Sequence, residues 1–189
     1  MYDIYCKTPG DINEHLPTLK RYAEQCDSVT EMGVRFGVST WAFIEAHPKK
    51  LICYDIRYDF FKPYEQAILE KCAVYGINFS FIVGDSLKIS IEQTDILFLD
   101  TLHTYKQLYG ELTRHSNMAK KWMILHDTTT FKDRDESIYN HASNLIKNGT
   151  KNGKQGLVNA IQDFLKGEKS WKIKEIFDNN NGLTVLERV

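Results

Sequence analysis

Residues 96–105 read ILFLDTLHTY. Four large apolar side chains run straight into a carboxylate, Asp100, and an imidazole, His103, follows three positions later. An apolar run without polar alternation is the pattern of a strand covered on both faces, as in parallel sheets. Open parallel sheets bind ligands at the carboxyl ends of their strands. A strand end meeting an ordinary turn would also place Asp and Thr here, for backbone hydrogen bonding. The rest of the chain decides between the two.

Working outward, short apolar runs alternate with helix-like stretches. Strands are expected at 29–36, 51–55, 79–83, 95–99, 122–125, 171–177 and 183–188. Between and around them, helical spacing covers 13–25, 40–46, 60–75, 103–118 and 156–165. Alternation of this kind predicts βαβ units, hence an α/β fold with a mostly parallel seven-stranded sheet and helices on both faces. The last two strands are separated only by DNNNG, so the chain should end in an antiparallel hairpin. Residues 1–189 read as one domain. Residues 1–28 form an N-terminal helical extension, and 128–155, long for a strand-to-helix connection, form a candidate lid.

With 24 Lys+Arg against 25 Asp+Glu the net charge is −1, which gives no basic excess for sequence-independent binding to nucleic acid. No apolar run reaches the length of a membrane span, and no leader pattern opens the chain. Four scattered cysteines without metal-finger spacing suit a reducing compartment. The expected location is cytoplasmic, with no nucleic-acid or membrane partner; association into a homo-oligomer stays open.

Every expected strand end carries polar residues. The first runs into EMGVRFGVST, where Gly33 and Gly37 permit tight turns and Ser39 or Thr40 can cap a helix; Glu31 precedes Gly33 by two. The spacing is not GxGxxG, so no pyrophosphate cradle is indicated. Asp55 ends the second strand, where a carboxylate can hold a ribose diol. Asp85 and Ser86 end the third, where they can meet a base or sugar edge or form an ordinary β-turn. Asp100 ends the fourth, and His126 with Asp127 the fifth. Two carboxylates at neighbouring strand ends repel unless a cation or proton lies between them. A hard divalent ion is one answer. His103, placed at a helix start, suits a general base.

These motifs resemble the class I S-adenosylmethionine (SAM)-dependent methyltransferases. The closest likeness is to the small-molecule O-methyltransferase branch, related to the cephalosporin-hydroxylase-like and sugar O-methyltransferase group. The resemblance rests on EMGVRFGVST, CYD, VGDS, ILFLDTLHTYKQLYGEL, MILHDTTT and NNNGLTVLERV, and covers about residues 29–189. It implies a Rossmann-like methyltransferase fold and methyl transfer from SAM to a small hydroxylated acceptor such as a sugar. Glu31, Gly33, Gly37 and Ser39 would line the methionine end of the cofactor, Asp55 its ribose, and Asp85 with Ser86 its adenine. Asp100 would serve both cofactor and chemistry, with His103 as the base. Asp100, His126 and Asp127 would hold Mg2+, although His126 stands where metal-dependent relatives carry an acidic or amide residue. An NAD(P)-dependent oxidoreductase and a non-catalytic methyltransferase-like binding module are the alternatives.

Overall fold

The computed structural model describes residues 1–137 and 153–189. Its sheet consists of β1 (Ser28–Met32), β2 (Lys50–Asp55), β3 (Asn78–Val83), β4 (Thr94–Leu99), β5 (Ala119–His126), β6 (Trp171–Phe177) and β7 (Leu183–Arg188). Their spatial order is β3-β2-β1-β4-β5-β7-β6. The first five strands are mutually parallel; β7 is antiparallel to both β5 and β6, so the terminal hairpin extends the sheet as expected. The order reverses between β1 and β4, and this switch point opens the crevice where such sheets bind ligands.

β4 lies at the centre, and all six of its residues are buried. Its side chains alternate between two cores. Ile96 and Phe98 pack on one face with Phe43, Phe61 and Ile44, under α2 (Leu16–Ala23), α3 (Val38–Glu45) and α4 (Lys62–Tyr75). Leu97 and Leu99 pack on the other with Leu112, Met123 and Phe164, under α5 (Tyr105–His115) and α6 (Leu157–Gly167). A strand with a core on each side has no face to give to polar residues, which explains the unbroken apolar run.

Several boundaries differ from the sequence expectations. β1 stops at Met32 rather than 36, because Gly33 turns with φ +87° and brings its Cα so close to Asp100 that an added Cβ would lie 1.9 Å from the carbonyl oxygen. The expected helix at 13–25 is a 3-10 turn, Asn13–His15, followed by α2, which starts with Pro17 in its first turn. α4 starts at Lys62 and not at 60, again with a proline, Pro63, at its start. The helix expected from 103 begins at Tyr105, with Thr104 as N-cap accepting from the Gln107 N–H, so His103 stands before the helix. A short helix, α1 (Tyr2–Lys7), was not expected; it buries no residue fully but packs Tyr2, Tyr5 and Cys6 against the core. Of the expected lid at 128–155, residues 138–152 lie outside the described residues; 128–137 pack beside the β4 and β5 ends. Among the described residues no helix is long and apolar enough to cross a membrane.

Candidate functional site

Two cavities meet at the switch point. The larger, about 490 Å3, runs along the ends of β1, β2, β3 and β4, with Asp55, Asp85, Ser86 and Asp100 on its wall. The smaller, about 160 Å3, is lined by Ser39, Asp100, His103 and Asp127, and by Asp11, Ile12 and Phe36. Gly33, Arg35, Asp100 and Thr101 belong to both walls, so the cavities adjoin at the end of β4.

On the larger cavity, Asp55 Oδ2 accepts the N–H groups of Val34 and Arg35 at 2.9 Å each, and its Oδ1 accepts that of Arg57. The carboxylate therefore fixes the β1 turn as well as facing the cavity. Asp85 pairs with Lys88 at 2.9 Å and accepts the Leu87 N–H. The Ser86 hydroxyl donates to Glu111 at 2.5 Å. Its carbonyl meets Nε2 of the buried His115 at 2.7 Å.

Glu31 is not on the wall of either cavity. It is completely buried and accepts from Ser39 Oγ, from Thr40 Oγ1 at 2.7 Å and from the Cys53 thiol at 3.2 Å. Burial pushes its carboxyl up to about 7, against the three donors. Its role here is to tie β1 to the start of α3. Gly37, the N-cap of α3 at φ +73°, also stays off both walls and faces Ile68.

The smaller cavity is dominated by charge. His103 Nε2 lies 2.8 Å from Asp127 Oδ2 and 3.4 Å from Asp100 Oδ1, and its Nδ1 lies 2.9 Å from Glu136 Oε2. Phe131 stacks on the imidazole with centroids 4.7 Å apart. His126, at the last position of β5, points Nδ1 at the same carboxylates, 3.3 Å from Asp100 and 3.2 Å from Asp127. Neither oxygen lies in line with its N–H, so this buried atom lacks an aligned hydrogen bond. Its other nitrogen meets the Asn180 carbonyl at 3.3 Å. Asp127 adopts φ +60°, which Asp tolerates better than most residues and which aims its carboxylate back at the imidazoles.

Burial alone would lower both imidazoles, but Asp100 and Asp127 outweigh it, raising His103 to about 10 and His126 to about 11. Reciprocally, burial would raise both carboxyls, and the two histidines instead hold them below the usual range.

The residues expected from sequence thus divide. Asp100, His103, His126 and Asp127 come together, while Asp55, Asp85 and Ser86 share the larger cavity. Ser39 reaches the smaller cavity, and Glu31 and Gly37 support from behind. Sequence reading missed His15, which is buried, packs edge-on against the His126 ring at 5.7 Å and meets the carbonyls of Asn179 and Asn180. It also missed Phe131, Glu136, Gln107 and Glu111.

No protein-family model and no curated protein matches the chain. Solved structures do match. A methyltransferase from Geobacter sulfurreducens is 15% identical, covering 93% of this chain and 78% of its own, with TM-score 0.63. A magnesium protoporphyrin IX methyltransferase from Synechocystis PCC 6803 with bound SAH is 14% identical, covering 100% of this chain and 93% of its own, at 0.62. An O-methyltransferase from Bacillus cereus in complex with SAH is 11% identical, covering 93% of this chain and 81% of its own, at 0.61. The chain has the Rossmann-like methyltransferase fold.

Proposed function

We propose that this chain is a SAM-dependent methyltransferase that methylates a hydroxyl of a small acceptor. The observation that carries the reading is the joining of the two cavities at Asp100, one suited to a nucleoside cofactor and the other filled with proton-handling groups. Solved structures of this fold hold SAH or SAM. In this reading the second lone pairs of Asp55 take the ribose hydroxyls, Asp85 and the Ser86 backbone border the adenine, and the methionine end lies along Gly33 toward Asp100. The acceptor occupies the smaller cavity, between Asp11, Ile12 and Phe36 on one side and Asp100, His103 and Asp127 on the other.

Methyl transfer is an in-line displacement. The acceptor oxygen bonds to the sulfonium methyl, the C–S bond breaks with its electron pair going to sulfur, and the hydroxyl proton leaves to a base. His103 takes that proton at Nε2, and Asp100 and Asp127 orient both partners. At neutral pH its carboxylate neighbours keep His103 protonated, so the reactive fraction grows as pH rises toward 10. A bound sulfonium beside Asp100 is a positive charge that favours loss of this proton, drawing the active range downward.

Asp100, His103 and Asp127 offer ligand atoms all within 4.8 Å of one another. The donor set nevertheless does not fit magnesium, which takes oxygen ligands and keeps several waters. The oxygens that would bind it are those the His103 and His126 nitrogens face, and an imidazole is a poor ligand for so hard an ion.

Isothermal calorimetry with SAM and SAH tests the reading. Saturable binding in the micromolar to millimolar range, abolished or weakened at least tenfold by Asp55→Ala, supports it. Heat with NAD(P)+ and none with SAM or SAH would transfer the site to a dinucleotide oxidoreductase. Silence with all of them would favour the non-catalytic module.

A further inference from the structure

Glu111, on the buried face of α5, lies beneath the larger cavity with no exposed surface. All its hydrogen-bond partners are uncharged. Its Oε1 accepts from Ser86 Oγ at 2.5 Å, Thr101 Oγ1 at 2.7 Å and Gln107 Nε2 at 2.8 Å; Thr101 also reaches Oε2 at 2.9 Å. Ser86 follows β3, Thr101 follows β4 and Gln107 sits in the first turn of α5, and all three lie on the cavity wall. One buried carboxylate thus gathers three walls of the same cavity.

With Glu111 ionised, the hydrogens in this network have a single consistent arrangement. Ser86 Oγ gives its one hydrogen to Glu111, so toward Gln107 Nε2, 2.8 Å away, it can only accept. Both hydrogens of the Gln107 amide are then directed, one to Glu111 and one to Ser86. Rotating the amide by half a turn would set its oxygen against the Glu111 carboxylate oxygen, two acceptors with no hydrogen between them. The backbone is fixed as well, since the Gln107 N–H caps onto Thr104 Oγ1. What remains of the amide is Oε1, to which no group among the described residues donates. It is an acceptor with a settled orientation, on a wall whose neighbours include the apolar Ile56, Leu87 and Leu102.

We propose that Gln107 selects a 6-aminopurine: its Oε1 accepts an exocyclic N–H of the cofactor's base, and Glu111 is the positioning residue that holds the amide in that orientation. This rests on reading the larger cavity as the SAM site. A 6-oxopurine would face Oε1 with a carbonyl oxygen, two acceptors meeting with no hydrogen between them, and a site built for a donor rejects an analogue lacking it. Asp85, another acceptor on that wall, already receives Lys88 and the Leu87 N–H.

The test compares binding of SAH and S-inosylhomocysteine, its 6-oxo counterpart, by calorimetry. The wild-type chain binds SAH at least about tenfold more tightly, the scale of one well-formed hydrogen bond lost at a desolvated site. Gln107→Ala, a half-buried position on the wall, brings that ratio down several-fold. Glu111→Gln leaves Gln107 in place but replaces its acceptor-only anchor with an amide that also donates, and lowers the ratio too; a merely structural Glu111 would weaken both ligands equally. Should Glu111→Gln fail to fold, Gln107→Ala decides alone. An unchanged ratio in Gln107→Ala, with SAH still bound, overturns this inference and leaves the cofactor reading standing. A wild-type chain that binds neither ligand overturns both. A ratio lowered by Gln107→Ala but not by Glu111→Gln removes the positioning role from Glu111.

Discussion

Glu31, Glu111, Asp100 and Asp127 are four buried or half-buried carboxylates around this crevice, and they are satisfied in two different ways. Glu31 and Glu111 accept only from neutral donors: hydroxyls, an amide and a thiol. Asp100 and Asp127 face two imidazoles. The electrostatic outcome is opposite. Burial wins at Glu31 and Glu111, whose carboxyls are raised, because neutral dipoles recover only part of the lost hydration. At Asp100 and Asp127 the imidazoles win over burial and the carboxyls are lowered. Neutral donors fix geometry without adding a second titrating group. Imidazoles fix geometry and also hold a proton that can move. The first kind of site lies behind the smaller cavity and beneath the larger one, and the second lies where the proposed chemistry would occur.

Removing charge from the titrating cluster should do the most damage. Asp100→Asn keeps the shape but leaves Asp127 as the one carboxylate that His103 and His126 share. Both imidazoles should fall toward 6.5, read by NMR titration of their ring protons. A raised histidine contributes stability that is complete below 6.5 and lost as pH rises through the folded value, here about 10 to 11. At pH 8 the variant should therefore lose about 3–5 kcal/mol, the scale for breaking a buried pair, in urea denaturation. A loss under 1 kcal/mol would mean that the two imidazoles do not carry this charge.

Glu31→Gln probes the neutral kind. A carboxyl raised from 4.5 to about 7 keeps its proton longer in the folded chain. Its contribution is present below 4.5 and is lost as pH rises through about 7, of order 3 kcal/mol across that window. The stability difference between wild type and Glu31→Gln should shift by that amount between pH 4.5 and 8, in favour of the variant at the upper end. A difference independent of pH would mean that the three donors fully replace water at this carboxylate.

The same contrast decides what could be read from sequence. β4 was legible because a strand between two cores must be apolar throughout, and the parallel arrangement then sets Asp100 beside Asp127. The first strand was overextended because Val34 and Phe36 are apolar, although the turn at Gly33 is dictated by the carbonyl of Asp100, sixty-seven positions away in the chain. Glu136 was invisible for the same reason: it reaches His103 across a separation of 33 residues, from a polar stretch with no period. Glu111 did leave a trace. It lies between Leu108 and Leu112 on the buried stripe of α5, four residues after Gln107, where a carboxylate needs donors brought by other elements. Glu31, expected at the cofactor, faces away because β-strand alternation sends its side chain beneath α3, to Ser39 and Thr40.

Glu136 sharpens the comparison at its weak end. It is the outermost carboxylate on His103, with its side chain 40% exposed, whereas those of Asp100 and Asp127 are 22% and 11% exposed. Solvent screens its charge, so Glu136→Gln should cost under about 1 kcal/mol. The amide oxygen still accepts from His103 Nδ1, and Phe131 still stacks on the ring, so the imidazole keeps its orientation and presents Nε2 to Asp127. His103 should then titrate lower by less than in Asp100→Asn, and His126, which has no contact with Glu136, should not move. The same NMR titration reads both rings. An equal fall of His103 in the two variants would place the proton under the control of the exposed carboxylate, and the division between geometry-fixing and proton-holding groups would have to be redrawn to include the segment that follows β5.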